Sequence, residues 1–247
     1  MKVKTILVSQ PAPTAKQSPY FDLMSKQKVK IDFRSFIHVE GESSRNVRNQ
    51  KIDFLDFTAV IFTSRNAVDH YFRLAEEMRV NIPDDMKYFC LSEAVAYYLQ
   101  KYVVYRKRKI YVGVRTFEDL IPLIKKHKNE KFLLPSSDKV KQTMIDRMNS
   151  LNVEWKRAIL FKTVISDLSD LENVFYDVLV FFSPSGIQSL FHNFPEFKQN
   201  NTRIAVFGNS TVKAAEEAGL KIDIAAPSEE TPSMTMALEK YIKKVNK

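Results

Sequence analysis

The sequence predicts an α/β protein of two similar domains, each a mostly parallel sheet with flanking helices. The second domain is inserted in the first, and the two are joined by a two-stranded extended hinge. Three observations lead there. Short apolar runs rich in Val, Ile and Phe alternate with stretches of helical periodicity along all 247 residues, the pattern of parallel sheets covered on both faces. One strand-turn-helix unit is written twice, as Val60-Ile-Phe-Thr-Ser-Arg-Asn-Ala-Val-Asp-His-Tyr-Phe72 and as Leu179-Val-Phe-Phe-Ser-Pro-Ser-Gly-Ile-Gln-Ser-Leu-Phe191. A second pair follows, Tyr88 to Leu99 matching Ala205 to Ala215, and repetition of this kind points to duplicated domains.

Taken in order, Lys4 to Ser9 reads as a strand, since its apolar run is too short for a secretory segment. Pro11 and Pro13 make a turn, and a helix follows near Tyr20 to Gln27. Val29 to Val39 is extended, with alternating character. The polar stretch Gly41 to Asn49 is a loop or helix start. Strand Ala59 to Phe62 enters a helix over Asn66 to Met78, and strand Tyr88 to Leu91 enters one over Glu93 to Lys101. Tyr102 to Val112 predicts strand, basic turn, strand around Arg106-Lys-Arg-Lys109. Helix Phe117 to Lys126 and strand Lys131 to Leu134 come next. Pro135-Ser-Ser-Asp138 reads as a turn, with Ser137 or Asp138 capping a helix over Val140 to Leu151. Trp155 to Val164 is extended.

The first pattern then resumes. A short helix over Leu171 to Tyr176 precedes strand Val178 to Phe182 and a helix over Gly186 to Phe194. Strand Arg203 to Phe207 leads to a helix over Thr211 to Ala218, which Gly219 can end because only glycine enters the left-handed region freely. Strand Ile222 to Ala225 passes through Pro227 to a last helix, Ser233 to Lys244. The opening strand and helix cannot fold alone, and neither can the last three strands. Joined, residues 1–32 and 168–247 make one discontinuous domain, 33–41 and 159–167 the hinge, and 42–158 the inserted domain.

Composition narrows the chemistry. Five glycines leave no G-x-G-x-x-G and no P-loop. His38, His70, His127 and His192 show no ligand spacing, so no metal site is expected. No G-x-S-x-G elbow accompanies the serines, and the lone Cys90 forbids an intramolecular disulfide. Of the net charge of +9, residues 42 to 165 hold 23 Lys and Arg against 15 Asp and Glu, a balance of +8. That field favours an anionic partner, or it is a solvated basic face.

The layout resembles the uroporphyrinogen-III synthase family over nearly the whole chain. The resemblance lies in Phe62-Thr63-Ser64-x-Asn66-Ala67-Val68, in Phe182-Ser183-Pro184-Ser185-Gly186, and in Val206-Phe207-Gly208-x-x-Thr211-x-x-Ala214-Ala215. Gly219-Leu220, Ala226-Pro227 and Pro232-Ser233-Met234 complete it. It implies a cofactor-free, cytoplasmic lyase of heme and tetrapyrrole biosynthesis. Such an enzyme cyclises hydroxymethylbilane, loses water and inverts ring D, in a cleft between two domains.

By this resemblance, Thr63, Ser64, Arg65, Asn66, Ser183, Ser185, Gly186, Gly208, Ser210 and Thr211 bind substrate, and Thr211 is the best catalytic candidate. Turn hydroxyls and helix N-termini suit the substrate's carboxylates. Ser64 and Ser183 also stand where an N-cap is expected, and one serine can fill both roles. Partners are then a linear tetrapyrrole polycarboxylate, with no nucleic acid, no membrane and a monomeric chain. Three departures stand out: Phe161 where many members have tyrosine, Leu91 and Ala94 for a glycine and a hydroxyl, and Pro135-Ser136-Ser137 for a glycine- and arginine-bearing turn. Tyr97, Tyr98, Lys162 and water remain as proton donors. Two alternatives are a degenerate relative that binds an anionic tetrapyrrole without turnover and a basic nucleic-acid-binding protein. A third is a bilobed receptor for another small anion.

Overall fold

The computed structural model describes residues 2–15 and 17–247. Two compact units share them: Met1–His38 with Val164–Lys247, and Val39–Thr163.

The first unit is built on β1 (Thr5–Val8), β2 (Lys30–Phe33), β9 (Val178–Phe181), β10 (Arg203–Phe207) and β11 (Ile222–Ala226). They form one sheet in the order β11-β10-β9-β1-β2, with every neighbouring pair parallel. Side-chain alternation explains the unbroken apolar strands. Ile6 and Val8 pack with Leu23 of helix α1 (Pro19–Gln27) and Leu238 and Ile242 of helix α9 (Met234–Val245). Leu7 points the other way, to Ile187 and Leu190 of helix α7 (Pro184–Asn193) and Ala215 of helix α8 (Asn209–Glu217). Both faces are covered, so the central strands β1 and β9 bury nearly every side chain, worth about 1.5–3 kcal/mol for a large aliphatic one, while the edge strands β2 and β11 expose Lys30 and Ala225.

The second unit repeats the plan. Strands β3 (Ile37–Gly41), β4 (Ala59–Phe62), β5 (Lys87–Cys90), β6 (Ile110–Val112), β7 (Phe132–Ser137) and β8 (Trp155–Ile165) lie in the order β3-β8-β7-β4-β5-β6. From β8 to β6 all pairs are parallel. The bonds Glu42 N to Leu160 O, 2.8 Å, and Ser166 N to Phe36 O, 3.0 Å, run in opposite index directions, so β3 lies antiparallel to β8. One face meets α2 (Ser44–Asn49), α3 (Arg65–Glu77) and α4 (Glu93–Leu99); the other meets α5 (Ile121–Lys126) and α6 (Gln142–Ser150). The chain passes from one unit to the other within β3 and again within β8.

Several local expectations are corrected. Tyr102 to Val104 makes no strand; only Ile110–Val112 does. The Tyr102 ring instead stacks on Phe72 at 4.6 Å and its hydroxyl donates to Asp69 at 2.6 Å, contacts to α3 that outweigh intrinsic β preference. Leu171 to Tyr176 is not a helix but a 3₁₀ turn, Ser169–Leu171, followed by irregular chain; so short a segment cannot hold a helix by itself. Pro135-Ser-Ser137 is the end of β7, not a turn. A proline is tolerated there because the β4 pairing stops at Leu133, and its missing N–H meets no β4 acceptor. Helix α6 starts late, with Lys141 at its N-cap. Ser137 donates to Lys139 O and Asp138 accepts from Thr163 N, so neither caps it. Extension breaks between Phe33 and Ile37. Gly219 takes φ +74° just past α8, as its place required.

Candidate active site

Sheets of this kind offer ligands the carboxyl ends of their strands, above all where the strand order reverses. In the first unit that point lies at β1 and β9. In the second it lies at β4 and β7. The sequence candidates fall at strand carboxyl ends, four after β4 in the second unit and six after β9 and its neighbour β10 in the first.

In the second unit β4, buried throughout, delivers Thr63 and Ser64 half-buried at the start of α3. Ser64 is in extended conformation and its hydroxyl accepts Ala67 N at 3.1 Å. It is therefore an N-cap in fact. Arg65 and Asn66 are exposed, and the Arg65 guanidinium lies over the Tyr98 ring, 5.5 Å from its centre. In the first unit β9 delivers Ser183, which caps α7 by accepting Gly186 N at 3.2 Å. Ser185 is half-buried beside it. A Cβ on Gly186 would make only ordinary contacts, 3.4 Å from Phe181 and 3.7 Å from the hydroxyls of Ser183 and Ser9.

The neighbouring strand β10 delivers Gly208, Ser210 and Thr211 to the same sheet edge. Gly208 holds φ +86° at the N-cap of α8 with open space where a Cβ would stand, a conformation other residues adopt only with strain. Ser210 is exposed. Thr211 is fully buried, and its hydroxyl has no hydrogen-bond partner among the described residues. The leading amides of α3, α7 and α8 have no acceptor within their own helices and carry the positive end of the dipole.

Two residues were not among the candidates. Ser9 follows β1, is 8% exposed, and its hydroxyl comes up to Gly186 because β1 pairs with β9. Only the pairing of strands distant in sequence reveals it. Arg157 of β8 binds the Ser136 hydroxyl at 2.9 Å and the carbonyls of Ser137 and Asp138 at 2.6 and 2.8 Å. An arginine thus sits at the end of β7, supplied by the adjacent strand.

The departures have clear surroundings. Phe161, 6% exposed, stacks on His70 with ring centres 5.0 Å apart. Burial and the neighbouring Arg73 hold the His70 imidazole below its ordinary pKa, and Arg73 Nε donates to its Nδ1 at 3.3 Å. Leu91 donates its amide to Phe62 O at 2.9 Å. Of the proton-donor candidates, Tyr98 has its hydroxyl committed to Asp69 at 2.8 Å, while Tyr97 is 77% exposed. Among the described residues no group of three or more His, Cys, Asp or Glu is placed to hold a metal.

The sequence model of the family described as uroporphyrinogen-III synthase HemD matches residues 22–236. The chain belongs to the uroporphyrinogen-III synthase family. Its fold is shared by uroporphyrinogen-III synthetase from Helicobacter pylori, at 20% identity and TM-score 0.63, covering 98% of this chain and 99% of that one. A mutant uroporphyrinogen III synthase from the extremely thermophilic bacterium Thermus thermophilus matches at 13% identity and TM-score 0.59, with the same coverage. No curated protein matches the sequence. Membership makes the chain a cofactor-independent cyclising lyase of tetrapyrrole and heme biosynthesis. No helix among the described residues is long and apolar enough to cross a membrane.

Proposed function

We propose that the strand-end turns of both units hold the carboxylates of hydroxymethylbilane while it closes to uroporphyrinogen III. Thr63, Ser64, Arg65 and Asn66 serve in one unit. Ser183, Ser185, Gly186, Gly208, Ser210 and Thr211 serve in the other, and Ser9 joins them. Each helix N-terminus adds on the order of 0.3–1 kcal/mol toward an anion. A floppy linear substrate held at several points loses the freedom that opposes ring closure, so binding itself lowers the barrier.

The observation behind this placement is Thr211. A buried hydroxyl without a partner costs about 1–3 kcal/mol, and proteins seldom keep one idly. Open space at Gly208 gives a carboxylate access to the first turn of α8. Chemistry then follows from the substrate. Its hydroxymethyl oxygen leaves as water, the pyrrole nitrogen supplying electrons, and the resulting azafulvene is attacked by the ring D carbon. The spiro intermediate reopens by breaking the bond between ring D and the ring C methylene. The azafulvene so formed is attacked by the free α-carbon of ring D, which then loses its proton and leaves ring D inverted. The departing oxygen needs a proton, and with Phe161 in the tyrosine position and Tyr98 bound to Asp69, Tyr97, Lys162 or water supplies it. Strands β3 and β8, which contain both chain crossings, act as the hinge. The chain works as a cytoplasmic monomer.

Product analysis tests the reading. With freshly generated hydroxymethylbilane, the type III isomer above the uncatalysed background is expected. Type I alone, at the blank's rate, would leave a tetrapyrrole-binding relative without turnover.

A further inference from the structure

We propose that the segment Tyr97–Lys109 docks the protein on an anionic lipid bilayer, with Val104 and Tyr105 entering the headgroup layer. Between Glu93 and Glu118 the chain has six cations, Lys101, Arg106, Lys107, Arg108, Lys109 and Arg115, and no acid. At the tip Val104 is 80% exposed and Tyr105 50%, and the following Arg106, Lys107 and Arg108 are exposed too. Tyr97, on the last turns of α4, is 77% exposed. An aliphatic residue left in water beside tyrosines and a basic run is what interfacial binding uses.

The segment is held out rather than loose. At one root the hydroxyls of Tyr98 and Tyr102 both donate to Asp69, at 2.8 and 2.6 Å, and the Tyr102 ring stacks on Phe72. At the other, Tyr111 donates to Arg108 O at 2.9 Å and Lys109 N to Arg106 O at 2.8 Å. Val103 and Tyr98 pack on the core at the root, while a hollow of about 710 Å³, with Glu76 and Asp84 in its lining, lies under Val104 and Arg106. Of the ring faces that could stack on nucleic-acid bases, Tyr102 is covered by Phe72 and Tyr98 by Lys101 at 4.0 Å and Arg65 at 5.5 Å, which leaves the separate rings of Tyr97 and Tyr105 exposed. What remains free is an aliphatic tip, two tyrosines and a basic run, a mixture that suits the interface of an anionic bilayer. The expectation of no membrane partner thus narrows to no spanning one.

The test is flotation with phosphatidylcholine vesicles, with and without phosphatidylserine. Binding is expected only with phosphatidylserine, and should weaken as salt shortens the screening length. Arg106/Lys107/Arg108→Gln should lower partitioning on the order of a hundredfold, and Val104→Ser with Tyr105→Ser several-fold. Lys125/Lys126/Lys128→Gln at and just beyond the end of α5, which removes equal charge, should leave most of it. Turnover in solution should stay unchanged in every variant and reports their folding. No dependence on phosphatidylserine, equal loss in both triple variants, or capture of single-stranded DNA with vesicles ignored would each overturn the proposal. None of these readouts depends on the substrate site.

Discussion

Asp177 accepts the backbone amide of Thr5 at 2.9 Å and the Thr5 hydroxyl at 3.2 Å, and its own amide donates back to that hydroxyl at 3.1 Å. The same carboxylate oxygen takes Lys4 N at 2.7 Å. These bonds lie at the junction of β1 with β9, where the two separate stretches of the first unit meet. Burial alone would raise the Asp177 pKa, but the Lys4 and Thr5 amides and the Thr5 hydroxyl outweigh it and hold the carboxyl below its ordinary value. A depressed folded-state pKa stabilises above the unfolded value near 3.9, and that part is lost as pH falls through the folded one. Asp177→Asn should cost about 1–2 kcal/mol at neutral pH and flatten the acid limb. Urea unfolding from neutral pH downward checks both, and an unchanged neutral midpoint would refute the staple.

Thr211→Val keeps the shape of the side chain and removes the unpartnered hydroxyl. Stability should hold or rise by up to about 1 kcal/mol, because nothing satisfied is lost. Turnover should fall at least about tenfold, the worth of one hydrogen bond to a charged group. Parallel denaturation and product assays decide. Unaltered turnover would leave Thr211 a packing residue.

Ser183 separates capping from ligand contact. Aspartate caps as well as serine, so Ser183→Asp should unfold within about 0.5 kcal/mol of the parent. Its negative charge would face substrate carboxylates, and KM should rise about tenfold or more. Ser183→Ala should do the reverse, losing about 1 kcal/mol of stability with a smaller change in KM. A normal KM for the aspartate variant would mean that the serine only caps.

Gly113 ends β6 against β5, its amide donating to Cys90 O at 2.9 Å. A Cβ there would stand 2.9 Å from the Leu91 carbonyl oxygen and 3.3 Å from Asp119 and Leu120. Leu91 follows β5 directly and its amide is bound to Phe62 O, so its carbonyl cannot step aside cheaply. Gly113→Ala should cost about 1–3 kcal/mol while leaving the product isomer unchanged, as thermal melts and chromatography would show.

The central strands were legible because they are buried on both faces, so Val60-Ile-Phe and Leu179-Val-Phe needed no pairing information to be read. Ser64 and Ser183 were legible for a local reason too, since a cap lies three residues from the amide it serves. Tyr102-Val-Val misled because its composition suits a strand, yet whether it pairs is decided by Phe72 and Asp69, some 30 residues earlier. Ser9 stayed hidden for a similar reason: its role depends on which strand lies beside β1. The burial of the Thr211 side chain was equally out of reach, since the motif fixes its place on α8 but not the packing around it.

Asn246 takes Val3 N on its carbonyl at 2.7 Å and returns its amide to Val3 O at 2.8 Å, so residues 3 and 246 lie side by side. Read from β9 onward and across that contact, the first unit runs β9, β10, β11, β1, β2; the second, its added edge strand β3 apart, runs β4, β5, β6, β7, β8. Both series then occupy identical sheet positions. Splicing residue 246 to residue 3 and opening the backbone at 164 would turn a nested pair into a tandem pair. Each domain would become one unbroken stretch of polypeptide, and the two crossings between them would become one. The two architectures thus differ by a single cut and a single join, which makes the nested form reachable from a head-to-tail duplication without redesign of either sheet.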